Sequence, residues 1–387
     1  MFSIQRIAIP AARKASKGKA VEPLSIYTVR LTCGRIHPLD GRGRQRARVR
    51  DLREDTGPLE HPGCSGRWQL SLAYHGIDIE LPFKEDKVHK VFIDPTGNHV
   101  IITTVAGDCY YLHSSKSKVV VLKRFSEYHI ESVAWNRLEG NPTCTGVWVS
   151  EYCHPQPILL GTRNGMILET AIDGKEKYIK QVFSMQQNMP ICSIHIEHFP
   201  EIEGQGHKYF VMAATANPSR YFQFIGGPTF ESMFEYYKDL DRQNCTELPG
   251  ISATPFSPSG DMNYTELRFF CKPSEPRAKS FALLTGFGVY YGSLYYGSQA
   301  AGEQVTTDTH DIRHSVAPLS IALTEFHLLS LYGKKLVVHN LLSHNVVYER
   351  ESGAELRGLC PDPLTGYIWV YGEKELFVVG GAAATGA

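Results

Sequence analysis

The sequence has few of the signatures that announce a reaction centre. Its 387 residues contain no GxGxxG turn after a strand and no GxxxxGK[ST] loop, and both HExxH and GxSxG are absent. The usual marks of a dinucleotide fold, a phosphate-cradling loop, a zinc protease helix and a nucleophile elbow are therefore missing. Gly286 and Gly288 bracket a single Phe in strand-like surroundings, which do not suit a dinucleotide loop. No apolar run approaches the ~18 residues that a membrane-spanning helix needs. Pro10, Arg13 and Lys14 interrupt any secretory core at the start of the chain. Net charge is absent too: 40 basic residues meet 40 acidic ones, so no bulk field draws the molecule to nucleic acid or lipid. The nine cysteines are irregularly spaced with no CxxC pair, which argues against a zinc ribbon or redox pair and for a reducing compartment.

What the chain has in quantity is short strand-like text with tight turns. Val88 to His113 reads VHKVFIDPTGNHVIITTVAGDCYYLH. A mostly apolar run ends at Asp94-Pro95-Thr96-Gly97, where Pro fixes φ and Gly takes the position other residues avoid. The β-branched run Val100 to Val105 follows, then Gly107-Asp108, then Cys109 to Leu112. There is no room for a crossover helix. The same grammar returns at Leu356 to Val379, with its turn at Pro361 to Gly366. Such a unit cannot bury its own apolar faces and requires neighbours of its kind.

About seven such units begin near residues 26, 88, 130, 191, 265, 318 and 356. Repeated groups of about four short antiparallel strands predict an all-β chain, a β-propeller of seven blades. Arg163-Asn164-Gly165 is a hairpin signal within the third unit. Phe230 to Leu240 is a short helical piece with Phe230, Met233, Phe234 and Tyr237 on one face, expected as a surface decoration. Ala300 to His314 is expected as a polar loop. Which strand joins the first unit to the last is not legible.

The neutral total hides an asymmetry. Residues 1–50 hold 12 Lys or Arg and two acids, leaving 28 basic and 38 acidic residues beyond. Residues 1–20 are expected as a disordered basic arm, 21–379 as the propeller with an Arg-rich loop or insertion at 34–66, and 380–387 as a disordered tail. Arg42, Arg44, Arg46, Arg48 and Arg50 alternate, so an extended chain presents them on one side. They offer a weak contact to acidic lipid or an acidic protein surface. No aromatics are interleaved to stack on bases, so no nucleic acid is expected.

Candidate chemistry is sparse. His195, Glu197 and His198 resemble metal ligands, but in a strand His198 faces away from the other two, and half-buried polar residues are the simpler account. Cys144, Cys153 and His154 lack a fourth ligand. The carboxylate pairs Glu139 with Glu151 and Asp239 with Asp241 do not end convincing inward-facing strands, as a channel hydrolase would require. No catalytic, cofactor-binding or metal residue is assigned, no cofactor is expected, and the chain is read as non-enzymatic.

Several stretches carry a family resemblance: VHKVFIDPTGNHVIITT at Val88 to Thr104, IESVAWN at Ile130 to Asn136, PILLGTRNGMILETAI at Pro157 to Ile172, and LSIALTEFHLLSLYGKKLVVHNLLSHNVVYE at Leu319 to Glu349. The last is the most specific, combining LTEFH, a strand around an Asn, and VVxE. With these the chain resembles the N-terminal propeller of the deep orange family, the class C vacuolar protein-sorting subunit eighteen. The resemblance implies an interaction scaffold in the HOPS and CORVET tethering complexes, peripheral on the cytoplasmic side of late endosome, lysosome or vacuole membranes. Implied partners are the other tethering subunits, with SNAREs and small GTPases as further candidates. The family's α-solenoid and RING-type zinc domain would lie outside this sequence, and no ubiquitin ligase activity carries over. An unrelated peptide- or coat-binding propeller is the alternative scaffold. Contact residues are expected in loops, with Phe230 to Tyr237 and Gly286 to Tyr296 as aromatic candidates.

Overall fold

A computed structural model describes residues 2–7, 30–36, 67–74, 77–80, 88–94, 99–113, 119–136, 157–185, 189–198, 208–216, 220–238, 266–271, 277–285, 288–296, 305–313, 316–353, 355–361, 368–372 and 376–381. They fall into two units. One comprises Met1–Arg13, Glu131–Ala171 and Lys177–Ala387, the other Lys14–Ile130 with Ile172–Glu176.

Strand β1 (Phe2–Ile7) opens the chain. β2 (Arg30–Ile36), β3 (Arg67–Tyr74) and β4 (Ile77–Glu80) form one antiparallel sheet. β5 (Val88–Ile93), β6 (His99–Thr104), β7 (Cys109–His113) and β8 (Val120–Val121) form the next. The turn expected after β5 is closed by Asp94, whose carboxylate accepts from the His99 amide at 2.7 Å while its own amide donates to the His99 carbonyl. β9 (Ile130–Ala134), β10 (Ile158–Thr162), β11 (Met166–Ile172) and β12 (Glu176–Ser184) follow in the order β12-β11-β10-β9. Gly165 turns β10 into β11 at φ 80°, a conformation that costs an L side chain.

β13 (Ile191–His198), β14 (Tyr209–Thr215) and β15 (Arg220–Gly226) form a three-stranded sheet. Helix α1 (Phe230–Glu235) comes next, started by a capping box in which Thr229 and Ser232 satisfy each other's amides. β16 (Glu266–Cys271), β17 (Ala278–Thr285), β18 (Gly288–Tyr296) and β19 (Val305–Arg313) form a meander. So do β20 (Ser320–Leu323), β21 (His327–Tyr332), β22 (Lys335–Asn340) and β23 (Val346–Glu351). The last sheet holds β24 (Leu356–Pro361), β25 (Ile368–Gly372) and β26 (Leu376–Gly381), and β1 completes it in the order β1-β26-β25-β24.

The larger unit packs sheet on sheet in sequence order. Leu159, Ile167 and Val182 of β10–β12 meet Val211, Ala213 and Phe224 of β14 and β15. On the other side of the same β14, Phe210, Met212 and Ala214 join Leu267, Phe281 and Leu283. Ala282 and Leu284 of β17 turn the opposite way, to Ile321, Leu323 and Leu328. Leu329, Leu331 and Val338 then pack on Leu359, Ile368, Val370 and Val379. β14 and β17 thus each feed two cores with alternate residues, which is why Phe210–Ala214 and Phe281–Leu284 are continuous apolar runs. Fully burying one such side chain contributes about 1.5–3 kcal/mol.

Four elements differ from the sequence expectations. Phe2–Ile7, inside the supposed disordered arm, is a paired strand. β2 takes in residues 34–36, which the sequence assigns to the Arg-rich loop. Ala300 to His314 contains β19, where Thr306, Thr307, Thr309 and Ile312 are β-branched and pair fully with β18 despite their polarity. Helix α1 is not a surface decoration: Phe230, Met233 and Phe234 are buried, and Phe234 packs on Phe183 and Phe224. The strand posited at Gly146 to Val149 lies outside the described residues.

Two tests follow from this packing. Deleting residues 1–7 removes a six-residue ladder and exposes the edge of β26. At about 0.5–1.5 kcal/mol net per hydrogen bond, stability should fall by about 2–5 kcal/mol in urea titrations, with increased self-association. An unchanged midpoint would show that the β1–β26 pairing contributes nothing. At Gly292, a Cβ would collide with the backbone carbonyl of Asp308 on β19 and press on the Phe281 ring. Gly292→Ala should cost about 1–3 kcal/mol by overpacking, read as a lower thermal midpoint.

Candidate functional site

A concave surface lies in the larger unit, where the ends of β17–β19 meet the turns of the β20–β23 sheet. It is a cleft of about 750 Å³. Its walls include Arg277, Tyr291, Tyr295, Glu325, Phe326 and Leu342. Three of these leave large apolar surface in solvent: Tyr295 is 55% exposed, Phe326 48% and Leu342 75%.

Two hydrogen-bonded turns hold out Phe326 and Leu342. In the β20–β21 turn the Thr324 amide donates to the His327 carbonyl, and the His327 amide donates to the Thr324 hydroxyl at 3.0 Å. The Phe326 carbonyl accepts from the Leu341 amide at 2.8 Å, which ties this turn to the next. There Asn340 Oδ1 accepts from the amides of Leu342 and Ser343, each at 2.9 Å. This is an Asx-type turn, in which a short side chain takes over backbone hydrogen bonding. His344 closes it in the left-handed region, at φ 59°. The LTEFH stretch and the Asn at the end of β22, which carried the family resemblance, are therefore the parts that fix Phe326 and Leu342 in place.

A ring cluster forms part of the cleft wall. Tyr291 Oη and His344 Nδ1 are 2.6 Å apart, and the His310 and His344 rings lie with centroids 4.0 Å apart. His310 Nε2 approaches Asp308 Oδ1 at 3.4 Å. Burial raises the Tyr291 phenol above its ordinary range, with Asp311 adding to the effect. The Arg277 guanidinium sits over the Tyr296 ring at 5.4 Å. Nothing in the linear text pointed to this cluster, because its members come from strands and a turn separated by up to 53 residues.

The sequence candidates fare differently. Of Phe230 to Tyr237, Tyr236 is exposed at 48%, while Tyr237 ties its hydroxyl to the backbone of Ile225. Of Gly286 to Tyr296, Tyr295 reaches solvent, and Val289, Tyr291 and Leu294 are buried. His195 and Glu197 share a face of β13, as the strand period requires, with Nε2 and Oε1 2.5 Å apart. Glu197 is buried, at 3% exposure. Beside them is Cys271 of β16, which the sequence offered only as a small hydrophobe. Its Sγ lies 3.8 Å from Glu197 Oε1. His198 is the last residue of β13. Cys144, Cys153, His154, the pairs Glu139 with Glu151 and Asp239 with Asp241, and the Arg42 to Arg50 series lie outside the described residues. Among the described residues no helix is long and apolar enough to cross a membrane.

Comparison with known proteins gives these features a context. The Pep3/Vps18/deep orange beta-propeller domain matches residues 67–380. A vacuolar protein sorting-associated protein 18 homolog of Danio rerio is 35% identical over 77% of this chain and 31% of its own length. The vacuolar sorting protein 18 of Arabidopsis thaliana is 32% identical over 76% of this chain and 30% of its own. The vacuolar membrane protein pep3 of Schizosaccharomyces pombe is 30% identical over 73% and 29%. The chain thus spans under a third of the length of these relatives. With its antiparallel sheets of three or four strands and a family match across residues 67–380, this chain is a member of the Pep3/Vps18/deep orange β-propeller family.

Proposed function

We propose that this chain is the propeller part of a membrane-tethering subunit in endosome, lysosome and vacuole traffic, and that it works as a docking platform without catalysis. In this reading the seven sheets serve as seven blades, and binding runs through rigid turns at their ends. The observation that carries it is the pairing of a match over residues 67–380 with Phe326 and Leu342 held out on hydrogen-bonded turns. Large apolar side chains fixed in solvent are the raw material of interface anchors, since little conformational entropy is lost when they are covered. The partners in this account are the other subunits of HOPS- or CORVET-type complexes, with SNAREs or small GTPases as further clients. The location is peripheral, on the cytoplasmic face of late endosomes, lysosomes or vacuoles. The basic segment around Arg42 to Arg50 adds a weak attraction to acidic lipid.

Two measurements test the proposal. A full-length parent protein carrying this propeller should recover the other tethering subunits from cell extract. Phe326→Ala with Leu342→Ala should weaken that recovery about tenfold or more, the cost of losing one hot spot of ~2 kcal/mol, with an unchanged thermal midpoint. A well-folded bait that recovers no tethering subunit would sink the assignment. For the lipid contact, Arg42, Arg44, Arg46, Arg48 and Arg50 are changed to Gln, because deleting residues 1–50 would also remove β1 and β2. Flotation with acidic liposomes should fall and become insensitive to salt; equal flotation would rule out the contact.

A further inference from the structure

The geometry points to a binding site for a zinc-class divalent cation, formed by His195 and Glu197 of β13 and Cys271 of β16. The three ligand atoms lie within 4.8 Å of one another. They come from two neighbouring sheets, so the site would pin one sheet to the next.

The donor set selects the metal class. An imidazole nitrogen, a carboxylate oxygen and a thiol sulfur together suit zinc; magnesium and calcium take oxygen ligands almost alone. Metal–ligand bonds of about 2.0–2.3 Å in a tetrahedron place the ligand atoms about 3.3–3.8 Å apart. Glu197 Oε1 and Cys271 Sγ already stand at 3.8 Å. His195 Nε2 and Glu197 Oε1 are hydrogen-bond partners at 2.5 Å, closer than that. Binding would release the Cys271 thiol proton to solvent and place the single imidazole N–H of His195 on Nδ1, leaving Nε2 for the metal, and the His195–Glu197 pair would open by about 1 Å to admit it. The fourth position is left for water or an incoming donor.

The surroundings orient these atoms. The Ala278 amide donates to Glu197 Oε1 at 3.1 Å and fixes the carboxylate. The Phe269 ring stacks on His195 at 3.9 Å with the planes 19° apart, which sets the imidazole. Outer contacts of this kind are what usually hold metal ligands in place. Tyr296, from β18, donates its hydroxyl to the Ala278 carbonyl, and Arg277 lies over its ring. Without a metal, the same atoms amount to a buried histidine–carboxylate pair with a protonated thiol in weak contact with the carboxylate. The role of Cys271 separates the two accounts.

The test uses the whole chain, stripped with a chelator and reloaded with zinc or cobalt. One equivalent of cobalt should give thiolate-to-cobalt charge-transfer absorption, and that absorption should vanish in Cys271→Ser. His195→Gln should weaken zinc binding by more than the roughly 10–100-fold that outer-shell changes cost, and zinc should raise the thermal midpoint of the unaltered chain but not of Cys271→Ser. If the variants fail to fold, alkylation of the unaltered chain decides: zinc should protect Cys271, located by peptide mapping. Absence of thiolate absorption, or zinc that leaves Cys271 fully alkylated, would overturn the site.

Discussion

Burial on both faces of the middle strands is the constraint on which this architecture rests. β14 shows it most clearly. Val211 and Ala213 belong to one core, and Phe210, Met212 and Ala214 to the next. A one-residue slip would exchange those two sets and bring the wrong shapes to both interfaces at once. Register is therefore specified twice, once from each side. The same holds in β17, where Phe281 and Leu283 face one neighbour and Ala282 and Leu284 the other. No sheet in the series closes its own core, and each is stable because the next is present.

The polar groups at these seams follow the same logic. A backbone carbonyl or amide facing a neighbouring sheet must find its partner there. Ser132 donates to the Ile191 carbonyl at 2.7 Å, the Leu359 amide donates to Ser320, and the Ala278 amide donates to Glu197. All three bonds pass between sheets. They give direction to an interface that apolar contact alone would leave free to slide. At the chain ends the device is the ladder itself. β1 pairs with β26 over its full length and covers an edge that would otherwise offer an open row of donors and acceptors.

Much of this was legible because strand, turn and strand each leave a local mark. Alternating or continuous apolar text marked β5–β7 nearly to the residue, since their turns carry Pro or Gly with fixed conformational demands. What escaped was decided at long range. β1 reads as an arm because its partner lies at the other end of the chain. β19 reads as a loop because an edge strand facing solvent needs no apolar residues. Helix α1 was visible as an amphipathic face, but its burial depends on the three-stranded sheet beside it. Cys271 could not be linked to Glu197 across 74 residues by any pattern of spacing.

The outward turns and the seam cluster around Glu197 arise from the same packing. A stack of sheets leaves its side chains little freedom inside, so variation is confined to the turns at the ends and to the seams. At the ends, Thr324 and Asn340 spend their hydrogen bonds on their own turns, and the neighbouring Phe326 and Leu342 are forced outward. A turn that is internally satisfied does not reorganise when a partner covers it, so its apolar residues bind without first being ordered. At the seam the demand is opposite. Glu197 is buried where a carboxylate is costly, and it is tolerated because His195, the Ala278 amide and Cys271 converge on one oxygen. In the larger unit both the buried carboxylate at the seam and the outward apolar residues at the turns follow from packing sheet on sheet.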